Sequence, residues 1–246
     1  MSYAVIFIPI SFAFVHFLEF TGTMARLGGV QAGSHLLGYS IQQAVYVGTR
    51  FFIVALLPML GLVVDTKISN FDYQKMAMTA VLVAAAASVV AYLLQGPIVS
   101  YYVQVIKKYN DGASFVRSFF AMPLPEKRAR LNIRQQFCKS WNNPISRFVI
   151  FQAAIVFSIY GTGIFASFYF ASLNYEYRAS ISQLSGVINS MGTILLTFFV
   201  EPKISRSIDS AGEDAVDLIH GLLIGRLIGI SILGPMLLLL LFGIAS

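Results

Sequence analysis

Two features of this 246-residue chain place it among all-α integral membrane proteins with six transmembrane helices. It is 57% hydrophobic and only 11% charged, where a soluble domain carries about 25% charged residues. Its mean hydropathy is +0.74, and the apolar residues fall into six long runs separated by short polar segments. A helix rising 1.5 Å per residue needs about 20 apolar residues to cross a hydrocarbon core of about 30 Å. Each run meets that length.

In order, the predicted spans are Tyr3–Phe20, Leu36–Val64, Met76–Val105, Phe148–Leu173, Ile181–Val200 and Leu218–Ala245. The N-terminus has no basic stretch, and the first run ends at Glu19 without a small-residue cleavage site, so it reads as a retained helix. The second span holds one charged residue, Arg50, at its midpoint. An arginine there costs roughly 2.5–3.5 kcal/mol on insertion scales and should face a bundle interior or wet cavity and find a partner. It is either half of a structural ion pair or a site for an anion crossing the bilayer.

The loops between spans divide by charge. Loop one has Arg26, loop three has Lys107, Lys108, Arg117, Lys127, Arg128, Arg130, Arg134, Lys139 and Arg147, and loop five has Lys203 and Arg206. The other side has only Lys67 and Lys75 in loop two and Arg178 in loop four. Loops one, three and five are therefore predicted to be cytoplasmic, with both termini outside. Loop three, residues 106–147 between two three-helix halves (1–105 and 148–246), carries Phe115, Val116, Phe119 and Phe120 at helical spacing. After Pro123 and Pro125 comes a basic segment, Glu126 to Trp141, with Leu131, Phe137 and Trp141 among its Arg and Lys. This predicts a basic interfacial helix drawn to anionic headgroups of the membrane lipids; an ordinary positive-inside loop is the simpler alternative. Nothing resembles a nucleic-acid reader.

An internal echo runs through the chain. Ala25-Arg26-Leu27, Ser34, Gly48-Thr49, Asp65-Thr66-Lys67-Ile68 and Gly96-Pro97 are followed in the same order by Ala171-Ser172-Leu173, Ser180, Gly192-Thr193, Glu201-Pro202-Lys203-Ile204 and Gly234-Pro235. Three spans per half would make a duplication an inverted repeat, the plan of many secondary transporters. Gly-Pro is also common in membrane helices, which leaves chance recurrence open.

The remaining polar residues at membrane depth are His16 and Glu19 on one face of the first span, Gln183 and Asn189 in the fifth, and His220 and Arg226 in the sixth. Glu19 reads as interfacial, Arg226 as close enough to its helix end to snorkel, and Gly28-Gly29 as a place for a tight turn or ligand approach. The single cysteine, Cys138, excludes an intramolecular disulfide, and no Cys/His cluster has metal spacing. There is no GxxxxGK[ST] loop for a nucleotide. No cofactor and no metal are expected.

Ala25-Arg26-Leu27-Gly28-Gly29-Val30, Gly48-Thr49-Arg50, Gln95-Gly96-Pro97, Ser182-Gln183-Leu184-Ser185-Gly186-Val187-Ile188-Asn189 and Thr193-Ile194-Leu195-Leu196 together resemble the Amj family, alternate lipid II flippases of bacteria. The likeness runs from about Phe14 to Asp209. It implies a non-enzymatic transporter of the cytoplasmic (inner) membrane. The implied activity is carrying the undecaprenyl-diphosphate-linked peptidoglycan precursor from the inner to the outer leaflet, as a stand-in for the MurJ flippase in cell-wall synthesis and cell shape.

On that basis Arg26, Arg50, Arg178 and Arg226 are candidates for the diphosphate. Gln183 and Asn189 are candidates for the sugars, and Glu19 and His16 for proton coupling. Six helices leave little room around such a head, which favours a lateral groove or a homodimer over a closed monomeric channel. The rival class is a membrane-embedded phosphatase or phosphotransferase acting on a polyprenyl or phospholipid head. The clustered acids for Mg²⁺, or the His nucleophile with basic partners, that such chemistry needs are not evident: His16, His35 and His220 lie in different segments, and Glu213-Asp214 with Asp217 read as a solvated linker. A structural subunit of a larger complex is the third reading.

Overall fold

A computed structural model describes residues 2–120, 133–209 and 214–245. Six of its helical segments are long and apolar enough to cross a membrane, and among the described residues there is no strand. Pro123, Pro125, Glu126, Lys127, Arg128, Arg130, Leu131 and Glu213 lie outside the described residues.

Helix α1 (Ser2–Gln31) runs well past the predicted end at Phe20. Gly28 and Gly29 do not turn the chain; they let neighbouring helices close in, since a Cβ on Gly29 would lie 2.9 Å from the Gly38 Cα and one on Gly28 2.8 Å from the Tyr102 Cβ. The turn comes at Gly33, in the left-handed region at φ 66°. Arg26, assigned to loop one from sequence, is therefore helical and 2% exposed, and Glu19 sits in mid-helix rather than at an interface.

Helix α2 (His35–Asp65) follows, then α3 (Asn70–Leu93), whose Ser69 cap accepts from the Asp72 amide at 3.1 Å. The predicted third span, Met76–Val105, is broken at Leu94, and α4 (Gln95–Asn110) starts afresh. Pro97 has no amide hydrogen and falls in the first turn of α4, where none is needed. At 24 residues, α3 is long enough to cross alone. Helix α4 packs on the end of α1, where Asn110 Nδ2 donates to Ser34 Oγ at 3.0 Å.

Loop three holds two short helices, α5 (Phe115–Phe120) and α6 (Ile133–Asn142). On α6 the Phe137 and Trp141 rings stack at 6.2 Å and stand exposed beside Arg134 and Lys139. Asn143 caps α7 (Pro144–Leu173), accepting from the Ile145 and Ser146 amides. The fifth span is compound. A short helix α8 (Arg178–Ser182) leads into α9 (Leu184–Leu195), and a π-turn over Leu196–Val200 joins it to α10 (Glu201–Asp209).

The sixth span runs from α11 (Asp214–Ile228) through a second π-turn, Gly229–Leu233, to α12 (Gly234–Ala245). Asp214 and Asp217 are no linker: they occupy the first turn of α11, where acidic groups suit the helix dipole, and pair with Asn143 at 2.8 Å and Lys139 at 3.6 Å.

Helices α1 and α7 form the centre. Helix α1 packs on α2 and α3, and α7 packs on α9 and α11; the two meet through the Phe12 and Phe165 rings, 4.9 Å apart. Lipid tails are as apolar as leucine, so close packing must hold such helices together. Gly221, Gly225 and Gly229 line one stripe of the sixth span against α7, and a Cβ at Gly225 would fall 2.4 Å from the Ile150 carbonyl oxygen. Loops one, three and five lie at one end, tied by Asn110–Ser34 and Asn143–Asp214, while loops two and four meet at the other through Arg178 and Asp65 at 2.6 Å.

Candidate functional site

Helices α2 and α9 both rest on α7 but scarcely touch each other. The gap between them is a cavity of about 450 Å³, with Glu19 of α1 in its wall. One face of α2 contributes Tyr39, Gln43, Tyr46 and Arg50, spaced i, i+4, i+7 and i+11 and so stacked along a single stripe. From α7 comes Tyr160, and from the fifth span Thr193, Thr197 and Glu201. The π-turn explains Glu201. Its i→i+5 winding inserts one residue, which rotates everything after it by roughly 100° relative to an α-helix. That rotation brings Glu201 round to the face that carries Thr193 and Leu196.

Arg50 is exposed in this cavity and has no hydrogen-bond or ion-pair partner among the described residues. The expectation that it should be paired is not met. The buried pair lies one layer deeper. Arg226 is fully buried, and its Nη2 donates to Glu19 Oε2 at 2.5 Å while its Nη1 donates to the Tyr46 hydroxyl at 3.2 Å. The Phe157 ring lies 4.5 Å from the guanidinium. The other Glu19 oxygen accepts from Thr49 at 3.2 Å and from Tyr160 at 3.3 Å, and the Tyr46 hydroxyl meets Thr23 Oγ1 at 2.8 Å. Arg226 does not snorkel, because the glycine stripe beside it seats α11 deep against α7.

A second pair closes the end of the cavity nearest loop one. Arg26 Nη1 donates to Glu201 Oε2 at 2.7 Å, and the Arg26 guanidinium lies 5.1 Å from the Tyr39 ring. In both pairs the carboxylate lines the cavity and the arginine stands behind it. In both, the arginine Nε is buried without a hydrogen-bond partner among the described residues.

The other sequence candidates are dispersed. His16 lies on the α1 face that carries Glu19, buried, with both ring nitrogens unpartnered and its ring 4.4 Å from Phe12. Asn189 sits one turn beyond Thr193, whose hydroxyl donates to its carbonyl; its Oδ1 is buried and unpartnered. Gln183 is exposed and off the cavity wall. Arg178 is at the opposite end of the molecule, paired with Asp65 and stacked 4.0 Å from Tyr175.

Glu201, Tyr39, Tyr46 and Tyr160 were not singled out as site residues from sequence. The polar stripe on α2 was detectable from its helical spacing. The two ion pairs join residues 175 and 207 positions apart, and no local pattern announces them.

No curated protein and no solved structure matches the chain. The family model for Amj, described as alternate to MurJ, matches residues 12–243, nearly the whole chain, and the protein belongs to the Amj family.

Proposed function

We propose that the protein flips lipid II, the undecaprenyl-diphosphate-linked peptidoglycan precursor, from the inner to the outer leaflet of the bacterial cytoplasmic membrane. The observation that carries this reading is Arg50: a free cation in a polar cavity halfway along a membrane-spanning helix, between two helices that leave a lateral gap. A diphosphate cannot cross hydrocarbon unpaired and its sugars need a hydrated path, whereas the prenyl tail can stay in lipid. A groove open to the side accommodates all three.

Arg50 holds the diphosphate, and Tyr39, Gln43, Thr193 and Thr197 offer hydroxyl and amide groups to the sugars, with Asn189 the next polar group along the fifth span. Gln183 and Arg178 stand outside this path. With the basic loops cytoplasmic, the Arg26–Glu201 end faces the leaflet where the substrate is made, and α6 gathers anionic lipid beside it. Glu19, released from Arg226, takes a proton in the same scheme, and His16 three residues away relays it. The repeat reading gains from the same geometry: the echoed spans two and five face each other across the cavity, as at the interface of an inverted repeat.

The test is outer-leaflet exposure of lipid II in cells depleted of their main flippase. The native chain restores exposure, and Arg50→Gln at matched expression lowers it at least about tenfold, the loss of a charge-assisted hydrogen bond of ~1.5–3 kcal/mol. Restoration by neither chain, with phosphate released from a polyprenyl lipid by the purified protein, would move the assignment to the phosphatase class.

A further inference from the structure

We propose that Glu201 and Glu19 are built-in competitors for the substrate's diphosphate. Each masks an arginine, Arg26 or Arg226, which the diphosphate unmasks by replacing the carboxylate as it moves inward to Arg50. The inference rests on reading the cavity as a polyprenyl-diphosphate site.

The three arginines form a ladder. Arg26 lies over Tyr39 and Arg226 bonds Tyr46, and these tyrosines are seven residues apart on α2, a rise of roughly 10 Å. Arg50 is four residues further, roughly 6 Å. Helix α1 runs antiparallel to α2 and keeps the same step, with Glu19 seven residues from Arg26. At the first two rungs the cavity meets the carboxylate, with the guanidinium behind it. Each guanidinium also keeps a buried Nε–H with no partner among the described residues, so one edge of its fork is unspent even while the carboxylate is bound.

Exchange of one anion for another on an arginine never leaves a bare cation or an unpaired substrate charge at membrane depth, where either is expensive. The displaced carboxylate swings into the polar cavity it already lines. A site that must release what it binds needs affinity tempered by competition and spread over several positions. An arginine without its carboxylate would hold the diphosphate too long.

The experiment is titration of the purified full chain in nanodiscs with farnesyl diphosphate as the probe, followed by calorimetry, with thermal melting to confirm folding. Glu201→Gln binds the probe about tenfold more tightly than the native chain, equivalent to ~1.4 kcal/mol, and Glu201→Gln with Arg26→Gln loses that gain. Glu19→Gln shows the same gain, lost on adding Arg226→Gln, and serves as the independent reading if one variant does not fold. In the lipid II exposure assay both carboxamide variants turn over more slowly although they bind better. A native chain that binds the probe, with no gain in either folded variant, overturns the inference and leaves the cavity assignment standing. A chain that binds no probe in any form overturns both.

Discussion

Arg226 and Arg50 represent two ways of keeping a guanidinium inside a bilayer. Arg226 is enclosed, with a carboxylate, a tyrosine hydroxyl and an aromatic face around it, and removing one partner of such a pair leaves an uncompensated charge in a dry interior. Arg226→Met should therefore lower stability by ~3–5 kcal/mol, read as a drop in the thermal midpoint in detergent, with Glu19→Gln added to Arg226→Met recovering most of the loss. Among the described residues Arg50 has no hydrogen-bond or ion-pair partner to strand. Arg50→Gln should change stability by no more than about 0.5 kcal/mol, as at an ordinary exposed site, while abolishing lipid II exposure. An Arg50→Gln variant that melts early would place Arg50 in the scaffold instead. The demand that an intramembrane arginine be satisfied was legible from sequence, but composition cannot say which arginine is enclosed; that depends on helix depth, set by glycines elsewhere.

At the scale of the elements, two devices position the site. The glycine stripe of α11 sets the depth of Arg226, and the π-turn in the fifth span sets the direction of Glu201. Gly225→Ala would push a methyl against the Ile150 carbonyl and the Ala153 side chain. Overpacking of that kind costs ~1–3 kcal/mol, and the measurable outcome is a lower thermal midpoint together with loss of the Glu19–Arg226 coupling in a double-mutant cycle. Deleting Phe198 removes the extra residue of the π-turn and lets an unbroken α-helix hold Glu201 in the same direction, so the same cycle run on Arg26 and Glu201 should keep its coupling. The break before α4 was foreshadowed by Gly96-Pro97. The extension of α1 was hidden, because Gly28-Gly29 reads equally well as a turn and as a tight helix crossing, and only the opposing Gly38 and Tyr102 decide between them.

For the molecule as a whole, the six membrane segments and the sorting of the loops to two ends followed from hydropathy and from where Lys and Arg fall. The cavity did not, because it exists only where α2 and α9 fail to meet, and an absence of contact leaves no mark in either helix. That gap can be closed deliberately. With Cys138 replaced by Ser, Val47→Cys and Thr197→Cys place thiols on opposite walls of the cavity. Joining them with a short bis-maleimide should stop lipid II exposure, while either single cysteine treated alike should not. Continued exposure in the joined form would mean the substrate takes another route.

The helices are unequally enclosed: in its most apolar stretch α7 is 67% buried and α1 56%, against 28% for α2 and 17% for the fifth span. The two helices that flank the cavity are thus among the most weakly held by protein, the sixth span matching α2 at 28%, and their outer faces, Phe51 and Val54 on one and Ile194 and Phe198 on the other, are exposed. Lateral pressure from the surrounding lipid then acts on the gap directly, with little protein between to resist it. Lipids with small heads and splayed tails, which shift that pressure toward the bilayer centre, should alter how wide the gap stands.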